Sequence, residues 1–267
     1  MSDLARLAAH LDGLGRVLLG YSGGVDSALL AVAGARLPGH DRFLAVLGVS
    51  PSLAASQHQQ ALALATRFQV PLLELDTREL DDPRYAANPT NRCYYCKNEL
   101  WARLGEVASA RGYDSVIDGT NADDLGEHRP GLAAASERKV RSPLAELGWT
   151  KEQVRAAARS LDIPIWNAPS SPCLSSRIRY GIEVTPARLR QIEAAEEWLR
   201  VLGVTGDLRV RHLGGTARIE ADPRHFELLS RRWPEVEQAL RQLGFEAVER
   251  DPRGYRRGGL LSLARSG

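Results

Sequence analysis

No apolar run in this 267-residue sequence approaches the length of a membrane span, which argues against an integral membrane protein. Acidic Asp3 and early Arg6 interrupt the amino terminus where a secretory signal needs a continuous apolar core, so a cytoplasmic location is expected. Cysteine is scarce: three residues, an odd number, argue against a disulfide framework and for metal binding or thiol reactivity. A large charge of either sign is missing as well. With 35 basic and 33 acidic residues the formal charge is +2, which supplies no general case for a nucleic-acid partner. Internal repeats and low-complexity tracts are absent. What remains is ordinary globular composition, 43% hydrophobic, enough to fill one large core or a medium core and a small one.

Strand-like runs at Val17 to Tyr21, Phe43 to Val49, Leu72 to Asp76 and Ser115 to Asp118 alternate with helical patterns at about 25–34, 53–68 and 94–111. That alternation predicts an α/β fold, a doubly wound and mainly parallel sheet. In such sheets ligands bind beyond the carboxyl ends of the strands, here Ser22-Gly23-Gly24, Gly48-Val49-Ser50 and Asp118 to Asp124. Thr150, with Gln153 three positions on, predicts a capping box and a helix to about 161. Past a serine- and proline-rich stretch from Asn167 to Gly181 the pattern changes. A long helix, short strands at Leu208 to His212 and Ala217 to Glu220, helices at about 223–230 and 234–243 and a strand near Phe245 to Glu249 predict a smaller α+β domain. The expected boundary gives domains at 1–175 and 176–267, with a loosely held tail from Gly254.

The segment from Leu18 to Leu30 reads as a strand, a tight loop and the first turn of a helix. Gly23 and Gly24 can take positive φ and carry no Cβ, so backbone N–H groups can converge on an anion at the positive end of the helix. The loop lacks the Gly-Lys-Ser/Thr ending of a Walker A loop and the third glycine of a dinucleotide fingerprint. Ser22-Gly23-Gly24-Val25-Asp26-Ser27 resembles instead the PP-loop of ATP pyrophosphatases, the adenine-nucleotide α-hydrolase-like fold; the alternative is an ordinary strand-to-helix turn. Cys93 and Cys96 open a helical pattern, so both sulfurs share one face of a first turn whose N–H groups favour thiolate. Cys173 makes a third thiolate with no evident fourth. Structural zinc closes four ligands, whereas a [4Fe–4S] cluster can leave one iron open. A reducible Cys93–Cys96 pair and plain core thiols remain alternatives.

Four segments together, Ser22 to Ser27, Asn91 to Lys97, Asp118 to Asp124 and Trp166 to Arg177, resemble the LarE family of ATP-dependent sulfur transferases along nearly the whole chain. The resemblance implies adenylation of a carboxylate of pyridinium-3,5-biscarboxylate mononucleotide and its conversion to a thiocarboxylate in nickel-pincer nucleotide biosynthesis. It implies ATP and Mg²⁺ at Ser22, Gly23, Gly24, Val25, Asp26, Ser27, Gly119 and Thr120, with Asp26 a metal-side carboxylate. Cys173 matches the family's essential cysteine. In single-cysteine members that residue gives up its own sulfur; members with an added Cys-x-x-Cys pair are thought to bind a [4Fe–4S] cluster through all three, and this sequence is similar to the second kind. Cys93, Cys96 and Cys173 are then cluster ligands, with sacrifice of the Cys173 sulfur left open.

In the smaller domain Arg209 and Arg211 alternate along a strand, a paired guanidinium surface suited to a phosphate, and resemble the family's phosphate-binding arginines. Glu197 and Glu220 match positions expected to face the same site and to hold a divalent metal. All four read equally well as solvated charges on an exposed sheet and helix. Lys151 resembles a basic position near phosphates in PP-loop enzymes, or is soluble helix surface; His128 and His212 suggest metal ligation only weakly, and the tryptophans suit packing. The expected partner is a small nucleotide substrate, with an upstream sulfur donor and a homo-oligomeric state, and with neither nucleic acid nor membrane. Two rival functions are a PP-loop tRNA thiolase, disfavoured by the balanced charge and the single Cys-x-x-Cys, and a non-catalytic ATP- or cluster-sensing module.

Overall fold

The computed structural model describes residues 2–39, 42–126, 130–169, 172–256 and 259. His128 and most of the tail beyond Tyr255 lie outside the described residues. In chain order the elements are α1 (Asp3–Asp12), β1 (Val17–Tyr21), α2 (Val25–Gly34), β2 (Phe43–Val49), α3 (Ala55–Arg67), β3 (Leu72–Asp76), α4 (Pro83–Ala86), α5 (Arg92–Arg111) and β4 (Ser115–Ile117). There follow α6 (Pro130–Glu137), α7 (Pro143–Glu146), α8 (Lys151–Ser160), α9 (Pro186–Val201), β5 (Leu208–His212), β6 (Thr216–Ala221), α10 (Phe226–Arg231), α11 (Trp233–Gln242) and β7 (Ala247–Arg250). Among the described residues no helix is long and apolar enough to cross a membrane.

The chain divides into two compact units, Met1–Glu79 with Asn91–Ser171, and Leu80–Thr90 with Pro172–Gly267. The first is built on a four-stranded sheet ordered β3-β2-β1-β4 with every pairing parallel. The α/β, mainly parallel architecture expected from the alternation is the one observed. Its core residues include Val17, Leu19, Leu29, Leu30, Ala45 and Leu47 under one set of helices and Leu18, Val46, Trp101 and Leu104 under the other, as a sheet covered on both faces requires. β1 lies between β2 and β4, so the chain leaves it in both directions and a crevice opens at the carboxyl ends of β1 and β4.

The second unit carries the sheet β5-β6-β7, antiparallel at β5/β6 and parallel at β6/β7. Leu208, Val210, Ala217, Ile219 and Ala221 join Ala195, Leu199, Val236 and Leu240 in its core, while alternate positions put Arg209, Arg211, Arg218 and Glu220 on the other face. This unit recruits Leu80–Thr90 from far up the sequence. Asn88, fully buried and at φ 55°, donates through Nδ2 to the carbonyls of Ile178, Arg179 and Ile182, and Tyr85 shares a 2.7 Å hydrogen bond with Ser175. Cys173 therefore belongs to the second unit, although the sequence reading puts it inside residues 1–175.

His212, at the end of β5, is buried against Phe245 and contacts Gln191 through Nε2 at 3.2 Å. Burial, then the Arg188 charge, push its pKa from 6.5 down to about 4. It packs as a neutral imidazole at pH 7. The folded state refuses a proton that the unfolded chain accepts, so its stabilising effect is complete above pH 6.5 and is lost as pH falls toward 4. Urea unfolding at about pH 7.5 and about pH 4.5 should show a loss of about 2–3 kcal/mol that His212→Gln does not show.

Candidate active site

β1 ends at Tyr21, and the loop after it closes on itself. The Ser22 N–H donates to Ser27 Oγ at 3.2 Å, Ser27 Oγ donates to the Gly24 carbonyl at 3.1 Å, and the two serine hydroxyls stand 3.1 Å apart. Ser27, at 3% exposure, is thus a structural hydroxyl, and Val25 is buried; Ser22 and Gly24 are the exposed members. Only one of the two glycines takes positive φ. Gly23 does, at 72°, with the space for its Cβ already filled by the Ala61 methyl 2.8 Å away, while Gly24 is extended and stands as the N-cap of α2. Gly24 brings no side chain to cap that helix, so the N-cap leaves its first N–H groups without the usual side-chain acceptor.

The loop after β4 packs directly on this helix start. A Cβ on Gly119 would lie 2.9 Å from the Ser27 nitrogen and 3.2 Å from Asp26 Cβ. Asp118, mostly buried, accepts from the Thr120 N–H, the Thr120 hydroxyl and the Ser142 hydroxyl at 2.8–3.0 Å. Thr120 is spent on holding that turn. Asn121 donates through Nδ2 to Asp26 at 3.0 Å, and the other Asp26 oxygen is paired with the Lys151 ammonium. Lys151 follows the Thr150 N-cap of α8, where the expected capping box with Gln153 is present, and its own N–H donates to Asp123 at 2.8 Å. Spacing alone gives Lys151 no such importance; only the fold delivers it to Asp26.

The Asp26 carboxylate already holds a cation, an ammonium, which is the chemistry a Mg²⁺ ion would use there. Cys93 and Cys96 lie in the first turn of α5, the former exposed and the latter half-buried, and Cys173, half-buried, stands at the N-cap of a 3-10 turn over Leu174–Arg177. Among the described residues no group of three or more His, Cys, Asp or Glu is arranged to hold a metal ion. Two cysteines about one helical turn apart, one of them exposed, are nevertheless a donor set suited in kind to an iron–sulfur group.

On β5 the expected pair of arginines shares a face, but that face is covered. Arg209 and Arg211 are 6% and 5% exposed. Arg211 donates to Glu220 at 2.9 Å and to the Ser176 carbonyl at 2.8 Å. Arg209 donates to the Leu208 carbonyl at 2.6 Å under the Tyr255 ring, with no carboxylate in ion-pair reach among the described residues. Burial first, then the Arg177 charge, lower its pKa, and both effects are relieved by an anion. Glu197 is exposed on α9; the carboxylate that reaches the strand is Glu196, bonded to the Val210 N–H and to Arg177. Of the two carboxylates expected to hold a divalent metal, Glu220 is paired with Arg211 and Glu197 is exposed on α9.

A doubly wound sheet with this strand–loop–helix and its acidic first turn is a PP-loop frame. Residues 6–105 match the model of the NAD synthase family. The chain is 42% identical over 261 residues to an uncharacterized protein of Synechocystis sp., covering 97% of each. It is 34% identical over 257 residues to the pyridinium-3,5-bisthiocarboxylic acid mononucleotide synthase of Lactiplantibacillus plantarum, covering 95% of this chain and 92% of that one. An uncharacterized protein of Methanocaldococcus jannaschii is 30% identical over 233 residues, 87% of this chain and 88% of its own. The chain belongs to the LarE family, that of the pyridinium-3,5-bisthiocarboxylic acid mononucleotide synthase.

Proposed function

We propose that this protein is an ATP-dependent sulfur transferase acting on a carboxylate of pyridinium-3,5-biscarboxylate mononucleotide. The observation that carries the reading is the match along 95% of the chain to the synthase, joined to an anion-ready loop and a cation-binding Asp26. A substrate carboxylate oxygen attacks the α-phosphorus of ATP, the bond to the β-phosphate bridge breaks, and pyrophosphate leaves with two phosphorus atoms. Loop amides offset the charge that grows on the leaving oxygens; Asp26 would hold a Mg²⁺ ion, which when bound would supply further charge stabilisation there. A sulfur nucleophile then adds to the acyl-adenylate carbon, AMP departs, and a thiocarboxylate remains. Arg209, buried and with no carboxylate in ion-pair reach among the described residues, receives the phosphate of the mononucleotide.

Cys93, Cys96 and Cys173 are the proposed ligands of a [4Fe–4S] cluster, which when bound supplies sulfide at an iron that no cysteine holds. The test joins two measurements on anaerobically purified protein. Pyrophosphate and thiocarboxylate should form only when ATP and the pyridinium substrate are both present, with iron and acid-labile sulfide bound and the polypeptide mass unchanged after many turnovers. Loss of one sulfur from Cys173 per turnover would replace the cluster with a sacrificed cysteine. Absence of pyrophosphate release would remove the reading itself.

A further inference from the structure

The segment that carries Cys173 is pinned by buried guanidinium groups. Arg177 is 4% exposed, and its Nη1 donates to the carbonyls of Pro172 and Cys173, the latter at 3.0 Å, and to Ser176 Oγ at 3.2 Å. Its other edge is a two-point contact with Glu196, Nε to Oε1 at 3.0 Å and Nη2 to Oε2 at 3.1 Å. Glu196 Oε1 in turn accepts the Val210 N–H at 3.0 Å, so the guanidinium is fixed to β5 as well as to α9. Arg211 takes the Ser176 carbonyl and Tyr85 the Ser175 hydroxyl. Hydrogen bonds thus hold the carbonyls of Pro172 and Cys173 and the residues Ser175 and Ser176 beyond it, yet Cys173 itself is only half-buried.

Burying an arginine–glutamate pair rarely stabilises a fold more than apolar residues of the same volume would. What such a pair does supply is a geometry. Arginine alone among the cations presents two edges at once, one for a carboxylate and one for carbonyl oxygens; lysine is a point charge that cannot hold both in fixed directions. The energetics thus favour a positioning role over a stabilising one.

We infer that Arg177, oriented by Glu196, is the positioning residue for Cys173: it sets the backbone of residues 172–173 and with it the direction in which the thiol points. The inference rests on the reading of Cys173 as a sulfur-handling group. By the same geometry Arg211 braces the cysteine segment through Ser176, which leaves Arg209 as the anion receptor of the two strand arginines.

The test uses the full chain with Arg177→Lys and, independently, Glu196→Gln. Cys173 alkylation by iodoacetamide is followed by peptide mass, and kcat and KM for the pyridinium substrate are measured with thermal melts as the folding control. The expected result is a retained cooperative melt, an alkylation rate altered about fivefold or more, and a kcat lowered on the order of a hundredfold with KM within about threefold. Folded variants whose alkylation rate and kcat match wild type would overturn the inference. If Arg177→Lys does not fold, Glu196→Gln, which keeps an acceptor for Val210, decides on the same readouts. Altered alkylation in the variants beside a wild type that transfers no sulfur would sink the functional reading and leave the positioning role standing.

Discussion

Replacing Glu220 with alanine is expected to destabilise the protein by about 3–5 kcal/mol, because it strands a buried guanidinium. Arg211 and Glu220 have side chains 6% and 4% exposed and meet at 2.8 Å, so the lost carboxylate cannot be replaced by water without opening the sheet face. Arg211→Met in the same chain should recover part of the loss, since it removes the stranded charge but leaves the Ser176 carbonyl without its donor. Glu227→Ala breaks a pair of equal chemistry, but both its side chains are 75% exposed and it should change stability little. Urea unfolding of the four proteins measures the contrast. Equal effects from Glu220→Ala and Glu227→Ala would mean that the β5–β6 face is wetter than its burial indicates.

The contrast between those two pairs also marks where the sequence is readable. Strands β1 and β2 begin and end where their apolar runs do, because a strand covered on both faces has no polar alternation to blur its limits. The loop at Ser22 is equally plain, since its glycines and hydroxyls act on neighbours a few residues away. Helix α1 is visible only after the fact, in Ser2 capping Ala5 N–H and in Leu7 and Leu11 at helical spacing. Contacts between distant segments are not written locally at all. Nothing near Asn88 announces that it will bind carbonyls about 90 positions on, which is why Leu80–Thr90 changes units.

The same limit applies at the site. Alternation along β5 puts Arg209 and Arg211 on one face, but whether that face is wet depends on the segment Pro172–Arg177 and on Tyr255. Glu196 and Glu197 are adjacent carboxylates about 100° apart around α9, and only the phase of the docked helix selects the first. Lys151 reaches Asp26 across 125 positions of sequence.

Gly119→Ala should weaken Mg·ATP binding on the order of a hundredfold while leaving most of the fold intact. The reason is steric and local. A methyl at this position would stand 2.9 Å from the backbone nitrogen of Ser27 and 3.3 Å from the Asp26 carbonyl carbon, closer than a side-chain carbon tolerates against backbone. Neither wall is a flexible side chain. The β4 loop must therefore retreat from the first turn of α2, and Asn121 is carried away from Asp26 with it. Asp26 then loses the neutral donor that orients it, the loop loses its register with the helix start, and a triphosphate meets misplaced amides. Gly148→Ala supplies the control: its backbone, unlike that of Gly119, is at positive φ, 70°, but nothing lies within 4 Å of the added methyl, so it should cost stability by about 1 kcal/mol and leave nucleotide affinity alone. Titration calorimetry with a non-hydrolysable ATP analogue and Mg²⁺ separates the two variants. Wild-type affinity in Gly119→Ala would show that the phosphates do not depend on the packing of the β4 loop against α2, and the nucleotide would have to be sought elsewhere on the first unit.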